Sequence, residues 1–485
     1  MSGVLRSRGR VWVHNSAVTT PPPQDRISLP LLIALTAFVY TMFRPVSNNG
    51  VLVPALALLG VVALGSLTLH GMKVTRTLQA IMFVQFIAGL FAVFVGSVNN
   101  TPGLWPDALV LIGGPLLFWI CVLALRSWML RPLLIATAFG TAVVSTAILL
   151  FVLSDKGLLP QLLPEAVVRG SGGGIGQLDQ SIAVRFYGLS TLVAAGPLWI
   201  ASLLVPRSDL MPPAWLRFYA AAAALLAGVV TGRKALVLLL VLTPLFVWVV
   251  RRILHGPSSP QHLKGHRSLV VPGMLALAFV ITVAFAAAPS VFSLNTVSQS
   301  ISSVTDTVSG SGNYQDTIRT EESTELLHSW ADSPLIGHGA GAAVQGYARD
   351  DARPWNFELQ YHRLLQQQGL FGASCFLVVL LMVISFLRRA VEASPEHASV
   401  LVATTVAAAT MLVANATNPY LQAPGHMWSI YLPLGIASAV MSYTPDRARL
   451  NSRNTPARPH VARRGRAEYT GRQFGETKVF LRSRT

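Results

Sequence analysis

The segment Phe357-Glu-Leu-Gln-Tyr-His-Arg-Leu-Leu-Gln-Gln-Gln-Gly-Leu-Phe-Gly372 joins a long polar stretch to an apolar run that continues to Leu387. A helix that crosses a bilayer needs about twenty apolar residues. Upstream, residues 290–369 are polar and lie between runs of that kind. Loops longer than about 15 residues are usually functional or disordered. The segment therefore marks the border between membrane-spanning helices and a large insert with a use of its own.

The composition of the chain is that of a polytopic membrane protein. Hydrophobic residues make up 52% of the 485 residues and charged residues 12%, and the mean hydropathy is +0.53. These values exclude an ordinary soluble domain. Cys121 and Cys375 both lie inside apolar runs, so they predict neither a disulfide framework nor a cysteine metal site.

The apolar runs predict an all-α, polytopic membrane helix bundle of about twelve transmembrane helices. The expected spans are 28–44, 50–70, 78–98, 106–125, 131–153, 186–205, 213–231, 234–250, 268–288, 370–387, 397–415 and 424–443. The pair within 213–250 is also compatible with one re-entrant unit. The expected organisation is a basic cytoplasmic tail at 1–27, helices 1–9 within 28–288, one extracytoplasmic loop with short helices at 289–369, helices 10–12 within 370–443, and a disordered basic cytoplasmic tail at 444–485.

Positive charges in the short loops predict the orientation, because cytoplasmic loops of membrane proteins are enriched in Lys and Arg. One set of loops carries most of them: Lys73, Arg76, Arg126, Arg131, Arg207, Arg251, Arg252, Lys264, Arg267, Arg388 and Arg389. If these loops face the cytoplasm, the chain is expected to be a multi-pass plasma-membrane protein with both termini cytoplasmic. A second extracytoplasmic loop is expected at 154–185.

The net charge of +17 arises in large part from the C-terminal tail. From residue 444 onward there are eleven Lys/Arg and three acidic residues. A basic cytoplasmic tail next to a membrane is attracted to anionic lipid. The distribution of charge therefore favours membrane lipid as a partner and argues against nucleic acid.

Four cations are exceptions to this pattern, since they are expected on the extracytoplasmic side, where the loops otherwise contain few Lys or Arg. Arg233 and Lys234 lie in a short turn, Arg185 precedes the sixth span, and Arg319 lies in the long insert. Each taken alone is compatible with a side chain that extends to lipid headgroups. Taken together around one cavity they would suit a diphosphate, because Arg binds phosphate oxygens in pairs and Lys adds a mobile charge.

These features resemble the O-antigen ligase and O-antigen polymerase superfamily. The resemblance depends on Arg185-Phe-Tyr-Gly188, Gly232-Arg-Lys-Ala235, Ser333-Pro-Leu-Ile-Gly-His-Gly-Ala-Gly341, the 358–372 segment and Asn418-Pro-Tyr-Leu421. It implies an enzyme that joins glycans by displacing a polyprenyl-diphosphate carrier on the extracytoplasmic face. It also implies that no cofactor and no metal is required.

The acid–base residue is expected at Glu358 or His362. Many ligases have His at the position that Glu358 occupies here, and this departure favours a polymerase over a ligase. The four-residue spacing predicts that both side chains share one side of a helix along the outer membrane surface. The plainer interpretation is an exposed carboxylate and an interfacial histidine on an amphipathic helix. Arg185, Arg233, Lys234 and Arg319 are the expected diphosphate ligands.

The leading hypothesis is a membrane glycosyltransferase that polymerises polysaccharide, with a polyprenyl-diphosphate-linked glycan as donor and a second glycan as acceptor. A ligase that transfers the glycan to a lipid, protein or wall acceptor is the first alternative. A transporter or lipid-glycan flippase is the second. A chain-length regulator or a flippase is the expected protein partner. Carriers place ionisable residues within their spans, and this chain places almost none there.

Overall fold

A computed structural model describes residues 28–46, 50–72, 74–164, 167, 174–178, 181–255 and 314–454. Contacts divide the chain into Met1–Thr444 and Pro445–Thr485, and the geometry below belongs to the first of these units. The expected span at 268–288 lies outside the described residues. So do the N-terminal tail, the first part of the insert and most of the C-terminal tail.

The described residues are almost entirely helical. The α-helices, in chain order, are α1 Leu29–Phe43, α2 Leu52–His70, α3 Arg76–Val98, α4 Leu104–Ala108, α5 Gly114–Ala124, α6 Ser127–Asp155, α7 Leu192–Leu204, α8 Ala214–Val230, α9 Lys234–His255, α10 Tyr314–Asp332, α11 Gln360–Ala393, α12 Ala398–Ala414 and α13 Trp428–Asn454. A π-helical turn at Leu109–Gly113 joins α4 to α5. Short 3₁₀ turns occupy Leu189–Thr191, Pro395–His397, Tyr420–Gln422 and Pro424–His426.

The expected all-helical fold is confirmed for the described residues. In the described residues, seven helices are long and apolar enough to cross a membrane, and four more are apolar but shorter. They occupy the positions of the expected spans other than 268–288. The residues at 213–250 form two helices, α8 and α9, joined by a short turn.

The structure differs from the sequence-based expectations at three places. Residues 174–185 contain a two-stranded antiparallel hairpin, β1 (Gly174–Leu178) and β2 (Ser181–Arg185), within the expected 154–185 loop. The insert contains the 19-residue helix α10. The last helix continues to Asn454, past the expected start of a disordered tail, because Arg, Ala and Leu at 447–450 are good helix formers.

A kink at Gly369 connects the insert to the membrane helix. The residue has φ 60° and ψ −164° within α11, a conformation that only glycine adopts without strain. The kink takes backbone groups out of the helical pattern. The amides of Leu370 and Phe371 donate instead to the carbonyls of Pro334 (2.8 Å) and Leu335 (3.0 Å). The polar insert therefore supplies the hydrogen bonds that the bent helix lacks.

Residues 333–341, which include Pro334 and Leu335, form further backbone hydrogen bonds to α11 and to α3. We call this segment the clamp. The amides of His338 and Gly339 donate to the carbonyls of Gln366 and Gln367, at 2.9 and 2.8 Å. Further along, the Ala340 amide donates to the Ala92 carbonyl on α3 at 2.8 Å. The Ser333-to-Gly341 motif is thus first of all a backbone connection between α11 and α3.

A buried ion pair holds the end of the clamp. Asp107 on α4 and Arg363 on α11 are both almost inaccessible to solvent and form a salt bridge. The Asp107 carboxylate also accepts from the Gly341 amide at 2.7 Å and from Gln367 Nε2 at 2.9 Å. A buried charge is tolerated only when it is paired and hydrogen-bonded. Removing either partner would leave the other uncompensated.

The loops expected on the outer side meet at one end of the bundle, which we call the site end. Asn99 donates to the His338 carbonyl (2.9 Å), and the Val184 amide donates to the Thr231 carbonyl (3.5 Å). Contacts across the opposite end include Arg389 with Thr77. The sorting of loops by charge in the sequence thus matches their sorting in space.

A comparison of Gly341 in the clamp with Gly346 outside it generates a prediction about stability. Gly341 and Gly346 both have positive φ, 74° and 79°. A Cβ at Gly341 would lie 2.0 Å from the Gly103 carbonyl carbon, whereas a Cβ at Gly346 meets nothing within 4 Å. Both alanine variants incur the left-handed penalty of about 1–2 kcal/mol. Overpacking adds about 1–3 kcal/mol or more only at Gly341.

We therefore expect Gly341→Ala to lower the thermal unfolding temperature in detergent markedly and Gly346→Ala to lower it slightly. Equal shifts in the two variants would show that close backbone packing of the clamp does not stabilise the fold.

Candidate active site

Glu322 organises the entrance to α11 from its position on α10. Its side chain is fully buried. One carboxylate oxygen accepts from the Leu359 amide at 2.8 Å, and the other from Arg349 Nη1 at 3.1 Å. Glu322 therefore caps the start of α11 and binds Arg349, from the loop that precedes this helix.

Glu358 lies between two arginines. Its Oε1 is 2.7 Å from Arg349 Nη2, and its Oε2 is 3.3 Å from Arg319 Nε. The three side chains remain accessible, at 23% exposure for Glu358 and 30% for each arginine. Each carboxylate oxygen of Glu358 is therefore paired with a guanidinium group, and one of the two belongs to Arg319.

Glu358 and His362 do not share a helix face, contrary to the expectation from their spacing. The helix begins at Gln360, so Glu358 lies before its first turn. The reason is a tertiary contact: the buried Glu322 carboxylate accepts from the Leu359 amide and fixes the chain as it enters the helix. His362 is half-buried on α11 and, within the part of the chain that the structure describes, has no hydrogen-bond partner.

Arg233 approaches the same region from the start of α9. Burial raises the pKa of the Tyr420 phenol, while the charges of Arg233 and Arg319 lower it and that of Glu358 raises it. The Tyr420 hydroxyl is therefore within electrostatic range of all three side chains. Charged residues far apart in sequence, just before α9, on α10 and just before α11, thus act on one phenol.

The two remaining expected ligands are placed by their backbone. Arg185 is exposed at the end of β2, next to the Val184 amide that donates to Thr231 in the α8–α9 turn. Lys234 is the first residue of α9, and its side chain lies outside the described atoms. Both therefore belong to the site end.

His426 is hydrogen-bonded to the backbone of Tyr420 and to the side chain of Ser190. Its Nδ1 lies 2.8 Å from the Tyr420 carbonyl, and its Nε2 lies 2.8 Å from Ser190 Oγ. Burial lowers the pKa of His426 to about 4, although the hydrogen bond to the Tyr420 carbonyl acts in the opposite direction. Because a carbonyl only accepts, the neutral ring carries its proton on Nδ1 and accepts the Ser190 hydroxyl on Nε2.

A cavity of about 290 Å³ lies among α3, α5, α11 and α13. Most of its wall is apolar, with Ile81, Leu111 and Val379 among the lining residues. Gln360 and Gln422 also line it and hydrogen-bond each other at 2.9 Å. Gln360 is two residues after Glu358, so one polar residue of the cavity wall is close in sequence to Glu358, which with Arg319 and Arg349 forms the ion-paired group that we call the arginine cluster.

Several site residues escaped sequence reasoning. Arg349 is one polar residue of a long polar insert. Arg44 caps α1 and lies 3.9 Å from the Tyr187 ring centroid, so it adds a further cation at the site end. Tyr420 was present only as part of Asn418-Pro-Tyr-Leu421, and no spacing rule connects it to Arg233 or Glu358. Asp107 offered one signal, as an acid at the edge of an apolar span.

Metal-type side chains do not cluster in the described part of the chain: no group of three or more His, Cys, Asp or Glu is arranged to hold an ion. The site instead presents guanidinium groups. No protein-family model matches the chain, and no curated protein matches it in sequence. The class that the described fold defines is that of helical proteins with helices long and apolar enough to cross a membrane.

The buried His426 predicts a pH-dependent stability. The unfolded chain takes up a proton near pH 6.5, whereas the folded protein does so only near pH 4. A folded pKa below the unfolded one means that the contribution to the free energy of unfolding is present above pH 6.5 and is lost as pH falls toward 4. We expect the stability advantage of the wild type over His426→Asn to shrink across that window, as measured by thermal unfolding at several pH values. A difference that does not change with pH would contradict this prediction.

Proposed function

We propose that the chain is an integral-membrane glycosyltransferase that polymerises polysaccharide at the site end. The observation that carries the proposal is that Glu358, which is paired with Arg319 and Arg349, lies two residues before Gln360 in the wall of a mainly apolar cavity. A polyprenyl diphosphate has that combination of chemistry, an apolar chain and a doubly charged head. The sequence resemblance to the O-antigen ligase and polymerase superfamily supports the same proposal.

The arrangement of charges supports an extracytoplasmic site. Arg126 and Arg207 lie in connections at the end opposite the site end, and Arg389 lies near the end of α11 there. Cytoplasmic ends of membrane proteins favour such residues. We place that end in the cytoplasm with both termini, and the protein in the plasma membrane. The shorter apolar helices and the run at 268–288 then complete about twelve spans.

The proposed reaction breaks the bond between the anomeric carbon of the donor glycan and the diphosphate oxygen. An acceptor hydroxyl oxygen bonds to that carbon, and the electron pair of the broken bond stays on the diphosphate. Arg319 and Arg233 stabilise the negative charge that develops there, with Arg185 and Lys234 in support. Preorganised charges are effective because they need no rearrangement at the moment of reaction.

The acceptor hydroxyl must also lose its proton, to Glu358 or to His362. Glu358 has the position next to the arginines, and an ionised carboxylate has about four acceptor sites, so its two ion pairs leave capacity for the substrate. His362 has a ring without a described partner. In either assignment Glu358 keeps Arg319 and Arg349 in place.

The proposed substrates are a polyprenyl-diphosphate-linked glycan donor and a glycan acceptor, with no cofactor and no metal. A chain-length regulator or a flippase is the proposed protein partner. A ligase uses the same donor chemistry and differs in its acceptor, so it is the second candidate.

Variants of the cluster test the site assignment. We expect Arg319→Ala and Glu358→Gln each to abolish polymer formation, because one removes a diphosphate ligand and the other removes a charge that holds two guanidinium groups. Protein abundance in the membrane should stay unchanged. The matched control is Arg353→Ala, since Arg353 is exposed and its one ion pair among the described residues is with Asp350, at 3.0 Å in the same insert. Such exposed pairs are worth about 0–1 kcal/mol. Normal polymer in both cluster variants would refute the site.

The glycans of a deletion strain, separated by size, test the reaction. We expect single repeat units to accumulate on the lipid carrier and long chains to be missing. Long chains that remain on the carrier would establish a ligase instead. An unchanged glycan profile would contradict both activities and favour the transporter hypothesis.

A further inference from the structure

The segment 415–427 connects α12 to α13 and passes over the site end; we call it the strap. The Leu421 amide donates to Asn415 Oδ1 at 3.0 Å, and Gln422 Nε2 donates to Gln360 Oε1 at 2.9 Å. His426 ties the strap to Ser190, as described above. The strap is therefore fixed to its own helix, to the start of α11 and to the turn before α7.

The Tyr420 ring is held within this strap. It meets the His426 ring edge-on with centroids 5.7 Å apart and packs against the main hydrophobic core. Its carbonyl accepts from His426. The ring and backbone of Tyr420 thus have fixed positions, which is what a group that must meet a reacting atom requires.

The Tyr420 hydroxyl differs from the rest of the residue. Among the described residues it has no hydrogen-bond partner, whereas the Tyr219, Tyr361 and Tyr431 hydroxyls each have one. The strap holds it near the start of α11, because Gln422 Nε2 donates to Gln360 Oε1, two residues after Glu358. The charges of Arg233, Glu358 and Arg319 act on the same hydroxyl. A rigid phenol without a described hydrogen-bond partner therefore lies within electrostatic range of the cations assigned to the diphosphate.

We propose that the Tyr420 hydroxyl is a catalytic hydrogen-bond donor to the departing diphosphate. This inference rests on the proposed function and adds a neutral donor to its arginines. The phenol proton is shared with a diphosphate oxygen as the bond to the anomeric carbon breaks, and it is not transferred. The electron pair stays on the diphosphate, and the proton of the acceptor hydroxyl goes to the base.

A neutral donor has a role that a further arginine would not fill. Guanidinium groups attract the diphosphate both before and after the bond breaks, so much of their energy is spent on binding. A hydrogen bond aimed at the bridging oxygen strengthens as charge develops on that oxygen, and only interactions that are stronger in the transition state accelerate the reaction. Tyr420 is therefore expected to affect kcat more than KM.

The test is the Tyr420→Phe variant of the full-length protein, assayed in detergent or vesicles with a polyprenyl-diphosphate-linked glycan. Phenylalanine keeps the ring against His426 and removes only the hydroxyl. We expect kcat to fall about 100-fold, the typical effect of losing one donor to a developing oxyanion. The KM for the donor and the unfolding temperature should change little. The matched control is Tyr219→Phe. Tyr219 is not part of the site, and its hydroxyl is hydrogen-bonded to Thr146 at 2.8 Å, so this variant should keep the wild-type kcat.

The outcomes separate the two proposals. A wild-type protein that transfers no glycan in this assay refutes the proposed function. Wild-type transfer with an undiminished Tyr420→Phe refutes the tyrosine assignment alone. A lower kcat accompanied by a lower unfolding temperature, or by an equal loss in Tyr219→Phe, also refutes it, because the effect would then be structural. Inhibition by added polyprenyl diphosphate should weaken in Tyr420→Phe, and unchanged inhibition together with unchanged kcat would overturn the inference.

Discussion

The bend at Gly369 is the constraint on which the rest of the described structure depends. Within an apolar helix bundle every backbone donor and acceptor needs a partner inside the protein. A bent helix leaves such groups open, and the clamp fills them from both sides of Gly369. Because the clamp also bonds to α3 and, through Gly341, to the buried Asp107, one bend determines where the polar insert attaches to the bundle.

The position of the candidate site follows from that attachment. The clamp comes directly after α10, so fixing it also fixes the helix that carries Arg319 and Glu322. Glu322 then reaches the amide of Leu359 at the entrance to α11. Arg349 bridges Glu322 and Glu358, which makes the insert close on itself. The charged cluster is thus a tertiary consequence of a backbone requirement.

The residues of the site were recovered from sequence unevenly. Arg319, Glu358 and Arg233 stood out because cations and acids are unusual beside apolar spans on the side that the charge pattern marks as outer. The four-residue spacing of Glu358 and His362 led to the wrong prediction that both lie on one helix, since a helical period does not determine where a helix begins. That point is decided here by Glu322, which is 36 residues upstream of Glu358. Tyr420 and His426 carried no sequence signal of their own, because an aromatic residue and a histidine in a short loop are unremarkable until their neighbours are known.

The sequence by itself determined the class of fold, the positions of most of the membrane-length helices and the side of the bundle on which the unusual charges lie. These properties depend on local composition: the length of apolar runs and the distribution of Lys and Arg are readable without knowing any contact. Only the tertiary structure decided which charges pair, that the Ser333-to-Gly341 motif is a backbone clamp and that the strap holds Tyr420 where the charges of Arg233 and Arg319 act on it. Those properties depend on contacts between elements that are tens to hundreds of residues apart, such as Asp107 with Arg363, and hydrophobic periodicity does not specify such partners.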